Sequence, residues 1–294
     1  MTTNIASVAP RGAAPRARST SVLMRIGRAI LITLFVVFAG FPVYWMFATS
    51  LGTESSLYGE GGQPLWPEIG NIGQWGSFLT DVPIIGWLGN SFIIATGTTI
   101  LSLLLAITAA YALSRYRFYG RGVAGFIFFS TQMLPEALII VPLYAIFAGA
   151  GLLNGHFGLI LADTAFVMPV AMFIIKGGID KIPYELEESA RIDGCSRARI
   201  LFTIVLPLIS PSIAAASVIA FFDGWNEFMF ANTFLSSSSL WTAPVGLASF
   251  LGQFYTPMNQ VMFSALLFAL PAIVFFLWAQ RGIVSGLTSG AVKG

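Results

Sequence analysis

The sequence predicts an all-α membrane protein with six transmembrane helices and both termini cytoplasmic, on three observations. Only 10% of its 294 residues are charged and 56% are hydrophobic, against about 25% charged in ordinary soluble chains, so a water-facing surface could not be covered. Six apolar runs approach the roughly 20 residues that cross a bilayer core as a helix. All fifteen Lys and Arg residues fall on one side of the topology those runs define, the side on which short cytoplasmic loops retain positive charge.

Taken in order, residues 1–28 are rich in Ala, Arg, Ser, Thr and Pro and contain no acid, which predicts a disordered basic cytoplasmic tail. A mitochondrial transit peptide shares that composition. Residues 29–86 hold the first span, 29–50, and an outer loop charged only by Glu54, Glu60, Glu68 and Asp81. The first run exceeds the apolar core of a secretory signal, so it reads as a retained helix. Residues 87–281 carry five more spans at 88–113, 123–147, 157–175, 208–230 and 261–280, and 282–294 form a C-terminal tail. Arg115, Arg117 and Arg121 join spans two and three, and Lys176, Lys181, Arg191, Arg197 and Arg199 join spans four and five. The alternate loops contain no Lys or Arg. Tyr44, Trp45, Trp87, Tyr116, Trp225 and Trp278 fall near span ends, as an interfacial aromatic belt requires.

The net charge of +2 favours neither nucleic acid nor an acidic partner. One cysteine, Cys195, and one histidine, His156, exclude an intrachain disulfide and any Cys- or His-rich metal site. No phosphate-cradling G-x-x-x-x-G-K-[ST], no G-x-S-x-G and no H-E-x-x-H occurs, which leaves an enzyme without a catalytic constellation.

Carboxylates at bilayer depth cost about 2.5 to 3.5 kcal/mol on insertion scales. Glu136 in the third span and Asp163 in the fourth therefore invite two readings. They line a translocation cavity, together with Asn226 and Glu227 at the far end of the fifth span, or they pair with neighbouring polar groups and fix helix packing. Asp223 and Glu227 are equally compatible with a gate and with a solvated outer surface.

The loop 182–207, IPYELEESARIDGCSRARILFTIVLP, concentrates charge. Pro183 suits the first position of a helix, and Glu185, Glu187 and Glu188 sit early in it, where negative charge is favoured. Gly194 can end that helix in the left-handed conformation, and Ser196 can cap the next. Leu186, Ala190 and Ile192 supply an apolar side to the first helix, and Ile200, Leu201 and Ile204 to the second. From periodicity alone, this is also what an amphipathic loop resting on a bilayer shows.

Within this loop, Glu188-Ser189-Ala190, three residues, Gly194, nine residues, Ile204, one residue, then Leu206-Pro207 resembles the EAA loop of the permease subunits of bacterial ATP-binding-cassette importers. Six specified residues at fixed spacing arise by chance on the order of once in ten million start points at this composition. Ser189 replaces the first alanine of that motif, and Cys195 stands where relatives have alanine. From Trp87 onward, Met133-Leu134-Pro135, Val141-Pro142-Leu143-Tyr144, Trp225-Asn226-Glu227-Phe228 and the closing 286–294 resemble the carbohydrate-importing, MalG-like branch.

The resemblance implies a type I importer permease (MetI-like) fold in the bacterial inner membrane, moving a sugar or related solute. It implies a second permease subunit in a heterodimer, two ATP-binding-cassette ATPase subunits, an extracytoplasmic solute-binding protein and the lipid bilayer as partners, with no nucleic acid. ATP and Mg would be used by the partner ATPase, and this chain would bind no cofactor. Glu188, Ser189, Ala190, Asp193, Gly194, Ile204, Leu206 and Pro207 would form the ATPase-coupling loop. Gly286, Gly290 and Lys293 would let an extended tail reach the ATPase. The alternative is a secondary transporter driven by an ion gradient through Glu136 and Asp163.

Overall fold

A computed structural model describes residues 22–59, 62–63, 65–252 and 255–291. Among them the chain is all helix and loop: α1 (Val22–Ser50), α2 (Glu54–Tyr58), α3 (Gln74–Asp81), α4 (Ile84–Arg115), α5 (Arg121–Thr131), α6 (Glu136–Gly149), α7 (His156–Ile179), α8 (Tyr184–Ile192), α9 (Arg197–Ile200), α10 (Leu206–Leu208), α11 (Ser210–Asn226), α12 (Met229–Phe234), α13 (Ala243–Ser249) and α14 (Met258–Ala291). Four helices are long and apolar enough to cross a membrane, or six when each of two bent pairs counts as one span. That agrees with the six runs, but two of them are not straight.

The run expected at 123–147 is α5 followed by α6, bent by 101°. The break centres on Pro135, whose own backbone is extended at ψ 127° and which disfavours helical backbone at the residue before it, so residues 132–135 lie outside either helix. The run expected at 208–230 is α11, entered from the 197–208 segment through an 80° bend. Pro211 in the first turn of α11 has no N–H to continue the preceding helix. Beyond Asn226 the backbone turns extended at Glu227 before α12 begins.

The chain divides into residues 1–45 and 46–294. In the first, α1 runs through Pro42, with Phe41 and Trp45 stacked at 5.7 Å. In the second, α4 and α7 pair closely, and their buried faces are built largely from small side chains: Ala95, Thr98, Ser102, Ala106 and Ala110 on α4, and Gly158, Ala162 and Ala171 on α7. Small residues let helix backbones approach where lipid supplies no hydrophobic driving force. The same device brings in α11, since a Cβ on Gly224 would lie 3.0 Å from the Ala95 Cα.

At the N-terminal end of α4, loop segments are tied down by long-range hydrogen bonds. Asn90 Nδ2 donates to the carbonyls of Ser239 and Trp241, both at 2.9 Å, and Ser91 Oγ accepts the Ala243 N–H at 2.8 Å. Two expected belt aromatics are core residues instead. Trp87 lies buried against Trp241 and Phe250, and Trp225 stacks on Phe268 at 5.0 Å and 8°. Both lie on helix faces turned toward neighbouring helices, where their area is buried rather than interfacial.

At its C-terminal end α14 remains helical through residues 286 and 290 to Ala291, where an extended tail was expected. Lys293 and residues 1–21 lie outside the described residues.

Candidate functional site

Two features collect the charged and strained residues. The first is the 182–207 segment. Pro183 precedes α8 by one position and forms its N-terminal flank. The helix closes on Gly194, whose φ of +83° is open to glycine and strained for any residue with a Cβ. Cys195 N–H donates to the Ala190 carbonyl at 3.0 Å and Gly194 N–H to Arg191 at 3.1 Å, the paired bonds of a Schellman ending. Ser196 then caps α9 by accepting the Arg199 N–H at 3.3 Å. Residues Leu201–Val205 continue as a π-turn.

What holds this segment is a buried charge pair absent from the motif. Glu187 is 3% exposed. Arg115, the last residue of α4, donates from Nε to Glu187 Oε1 at 2.6 Å. The same guanidinium donates from Nη2 to the carbonyls of Ile179 and Ile182, at 2.9 and 3.0 Å. Tyr111 Oη donates to Glu187 Oε2 at 3.0 Å. One guanidinium and one carboxylate therefore join the ends of α4 and α7 to α8. Below them Ala190, Ile200, Leu201 and Val205 are buried with Ala106, Ala110, Ile175 and Ile179 in a single apolar cluster.

Beside the pair, Asp180 accepts from Lys176 at 2.6 Å and from Ser114. Burial works to raise its carboxyl, but those hydrogen bonds and the charges of Lys176 and Arg115 outweigh it and hold the group below the usual carboxylate range. Arg197 lies over the Tyr116 ring at 4.6 Å. With Arg117 and Arg191 it lines a cavity of about 220 Å³ around Arg115 and Glu187.

The motif residues split into two faces. Glu188, Ser189, Asp193, Gly194 and Pro207 are exposed, Ile204 and Leu206 half-buried, and Ala190 buried against the chain itself. The apolar side expected of α8 divides likewise. Ala190 points inward while Leu186 and Ile192 are exposed, Ile192 at 86%. Cys195 is half-buried. Glu187, Arg115 and Tyr111 were not singled out from sequence; the available signal was that Glu187 shares a helical face with Ala190, three residues on.

The second feature is a cavity of about 460 Å³ at the two helix breaks. Glu136, Asp163, Asn226 and Glu227, the four residues expected along a translocation path, all line it, with Asp223 and Gln132. Glu227 closes the N-terminus of α12, accepting from the N–H groups of Phe230 at 2.6 Å and Ala231 at 2.8 Å. Asp163 is 3% exposed, and only its Oδ2 has a partner, Thr98 Oγ1 at 3.4 Å. Gln132 donates to the Phe166 carbonyl at 2.9 Å. No group of three or more His, Cys, Asp or Glu among the described residues could hold a metal ion.

A family model described as the binding-protein-dependent transport system inner membrane component matches residues 99–288. The chain is 33% identical to a sulfoquinovosyl glycerol transport system permease protein of Agrobacterium fabrum, over 91% of this chain and 93% of that protein. It is 34% identical to a diacetylchitobiose uptake system permease protein of Streptomyces coelicolor, over 90% and 96%. In fold it is similar to a chain of a bacterial ABC transporter involved in the import of the acidic polysaccharide alginate, with TM-score 0.74 and 21% identity over 91% of this chain and 99% of that one.

Proposed function

Because the chain belongs to the family of binding-protein-dependent transport system inner membrane components, a multi-pass inner-membrane permease of importers, we propose that it forms one half of the pathway for a sugar or related solute. In this reading it is coupled to a separate ATPase through α8 and α9. The curated relatives just described are named for glycosides and oligosaccharides, which favours a carbohydrate solute. A second permease subunit pairs with this chain, two ATPase subunits use ATP and Mg on the side of 182–207, and a solute-binding protein docks opposite. Both termini are cytoplasmic. The ion-coupled alternative is set aside, because the family match is to permeases dependent on a binding protein.

One observation carries the reading: α8 is hydrogen-bonded and packed to the spans by its inner face while its outer face is exposed. A motor can move a membrane bundle only through an element it holds in both of its states. Arg115 and Glu187 bind that element to the ends of two spans. Leu186, Glu188, Ser189, Ile192 and Gly194 remain uncovered, an apolar and acidic patch suited to a partner's groove. By the same reading the end of the chain, with Gly286, Gly290 and Lys293, adds a contact to the ATPase.

Co-purification of the ATPase with the membrane-inserted permease pair tests this. Ile192→Asp and Glu188→Lys should lose most of the bound ATPase, while substitutions in the opposite loops, such as Asn154→Ala, should keep it. Full retention of ATPase by both loop variants would contradict the assignment.

A further inference from the structure

We propose that the acid-lined cavity is a solute subsite of this subunit itself, and that it takes a hydroxylated solute bearing a protonated amine, amino sugars being the simplest such class. The inference rests on the permease reading above and deepens it.

Most of the donors around the cavity are engaged, and the Gln132 and Asn226 amides keep one free N–H each. Gln132 Nε2 serves the Phe166 carbonyl, Asn226 Nδ2 the Phe222 carbonyl at 2.8 Å, and Thr131 Oγ1 the Phe128 carbonyl at 2.8 Å. The N–H groups of Phe230 and Ala231 serve Glu227. Among the lining residues there is no Lys, Arg or His.

The acceptors are in surplus. Asp163 Oδ1 is buried with no partner. The side chains of Glu136 and Asp223, at the exposed edge of the cavity, make no hydrogen bond or ion pair among the described residues, so the buried unmatched acceptor is Asp163 Oδ1. An ionised carboxylate only accepts, and a buried acceptor left unmatched is costly.

A ligand rich in hydroxyls would answer the surplus of acceptors. It would not answer the second feature, four carboxyl groups facing one space without a cation, which repel one another when charged. An ammonium group supplies donors and positive charge together, and hydroxyls on the same molecule reach the carbonyl oxygens of Gln132 and Asn226. The cavity volume of about 460 Å³ falls within the range of small-molecule pockets.

The test uses the assembled permease–ATPase complex in nanodiscs, with glucosamine and its β-1,4-linked dimer as amine probes and N-acetylglucosamine and maltose as neutral ones. Thermal unfolding is followed against probe concentration, since a ligand that binds only the folded state raises stability by mass action. The amine probes should raise the unfolding temperature saturably and the neutral ones should not. Asp163→Asn and Glu136→Gln should each weaken the apparent affinity for the amine about tenfold, the scale of one lost charge-assisted hydrogen bond. If the buried Asp163→Asn variant fails to assemble, Glu136→Gln at the exposed edge carries the comparison. Equal stabilisation by maltose, no response to either amine, or unchanged affinity in the variants would overturn the proposal. ATPase retention, read in the same preparation, reports on the coupling loop separately, so the two readings fail independently.

Discussion

Arg115 and Glu187, 72 positions apart in sequence, meet at 2.6 Å with side chains 11% and 4% exposed. Through them the last turn of α4 holds the first helix of the 182–207 segment. The Arg115 Nη2 group reaches the carbonyls of Ile179 and Ile182, so α7 is joined at the same point. Removing one member of such a pair leaves the other buried and uncompensated, which costs about 3–5 kcal/mol.

Arg115→Met or Glu187→Leu alone should therefore lower the unfolding temperature of the purified permease pair sharply. The double variant should recover much of the loss, because an apolar pair of similar volume leaves no stranded charge. Strictly additive losses in a double-mutant cycle would show that the two side chains do not act together.

Gly194 sets the turn between α8 and α9. At φ +83° a Cβ costs about 1–2 kcal/mol, so Gly194→Ala should weaken ATPase retention and coupled hydrolysis moderately. Gly194→Pro, which also removes the N–H bonded to Arg191, should abolish transport while the protein still inserts. Normal uptake by the proline variant would remove this turn from the mechanism.

Cys195 gives a topological handle. It is the one cysteine in the chain and is half-buried beside α8. A membrane-impermeant thiol reagent should label it from the cytoplasmic side only, and faster once the ATPase is stripped away. Labelling from outside in intact cells would reverse the orientation.

Asp180 predicts a pH dependence. Its folded pKa is held below the unfolded one, so its contribution to stability is present above the unfolded value of about 3.9 and is lost as pH falls through the folded value. The gap in unfolding temperature between wild type and Asp180→Asn should be constant near neutral pH and shrink only in acid. A gap that instead closes on raising the pH through neutrality would contradict the sign.

Much of this was legible in the sequence, for physical reasons. Long uncharged runs have one stable environment, so the spans could be counted. Gly194 and Ser196 announce helix ends through their own backbone chemistry and were read where they act. Residues 123–147 read as one apolar span, and the 101° turn at Pro135 that places Glu136 on the same cavity as Asp163 and Glu227 depends on three other helices. Which of Glu185, Glu187 and Glu188 turns inward is fixed by Arg115 and Tyr111, more than 70 residues away. Trp225 sits near a span end, and nothing local says that Phe268 will stack on it.

In the proposed function, the 182–207 segment transmits work because the Arg115–Glu187 pair fixes it to the spans, while its outer face docks the motor. The direct measurement is the ratio of solute imported to ATP hydrolysed in proteoliposomes containing the full complex and its binding protein, for wild type and for Glu187→Gln. The substitution leaves Leu186, Glu188 and Ile192 untouched, so the ATPase should remain bound and keep hydrolysing ATP, while solute imported per ATP falls severalfold. An unchanged ratio in a complex that retains its ATPase would contradict the claim.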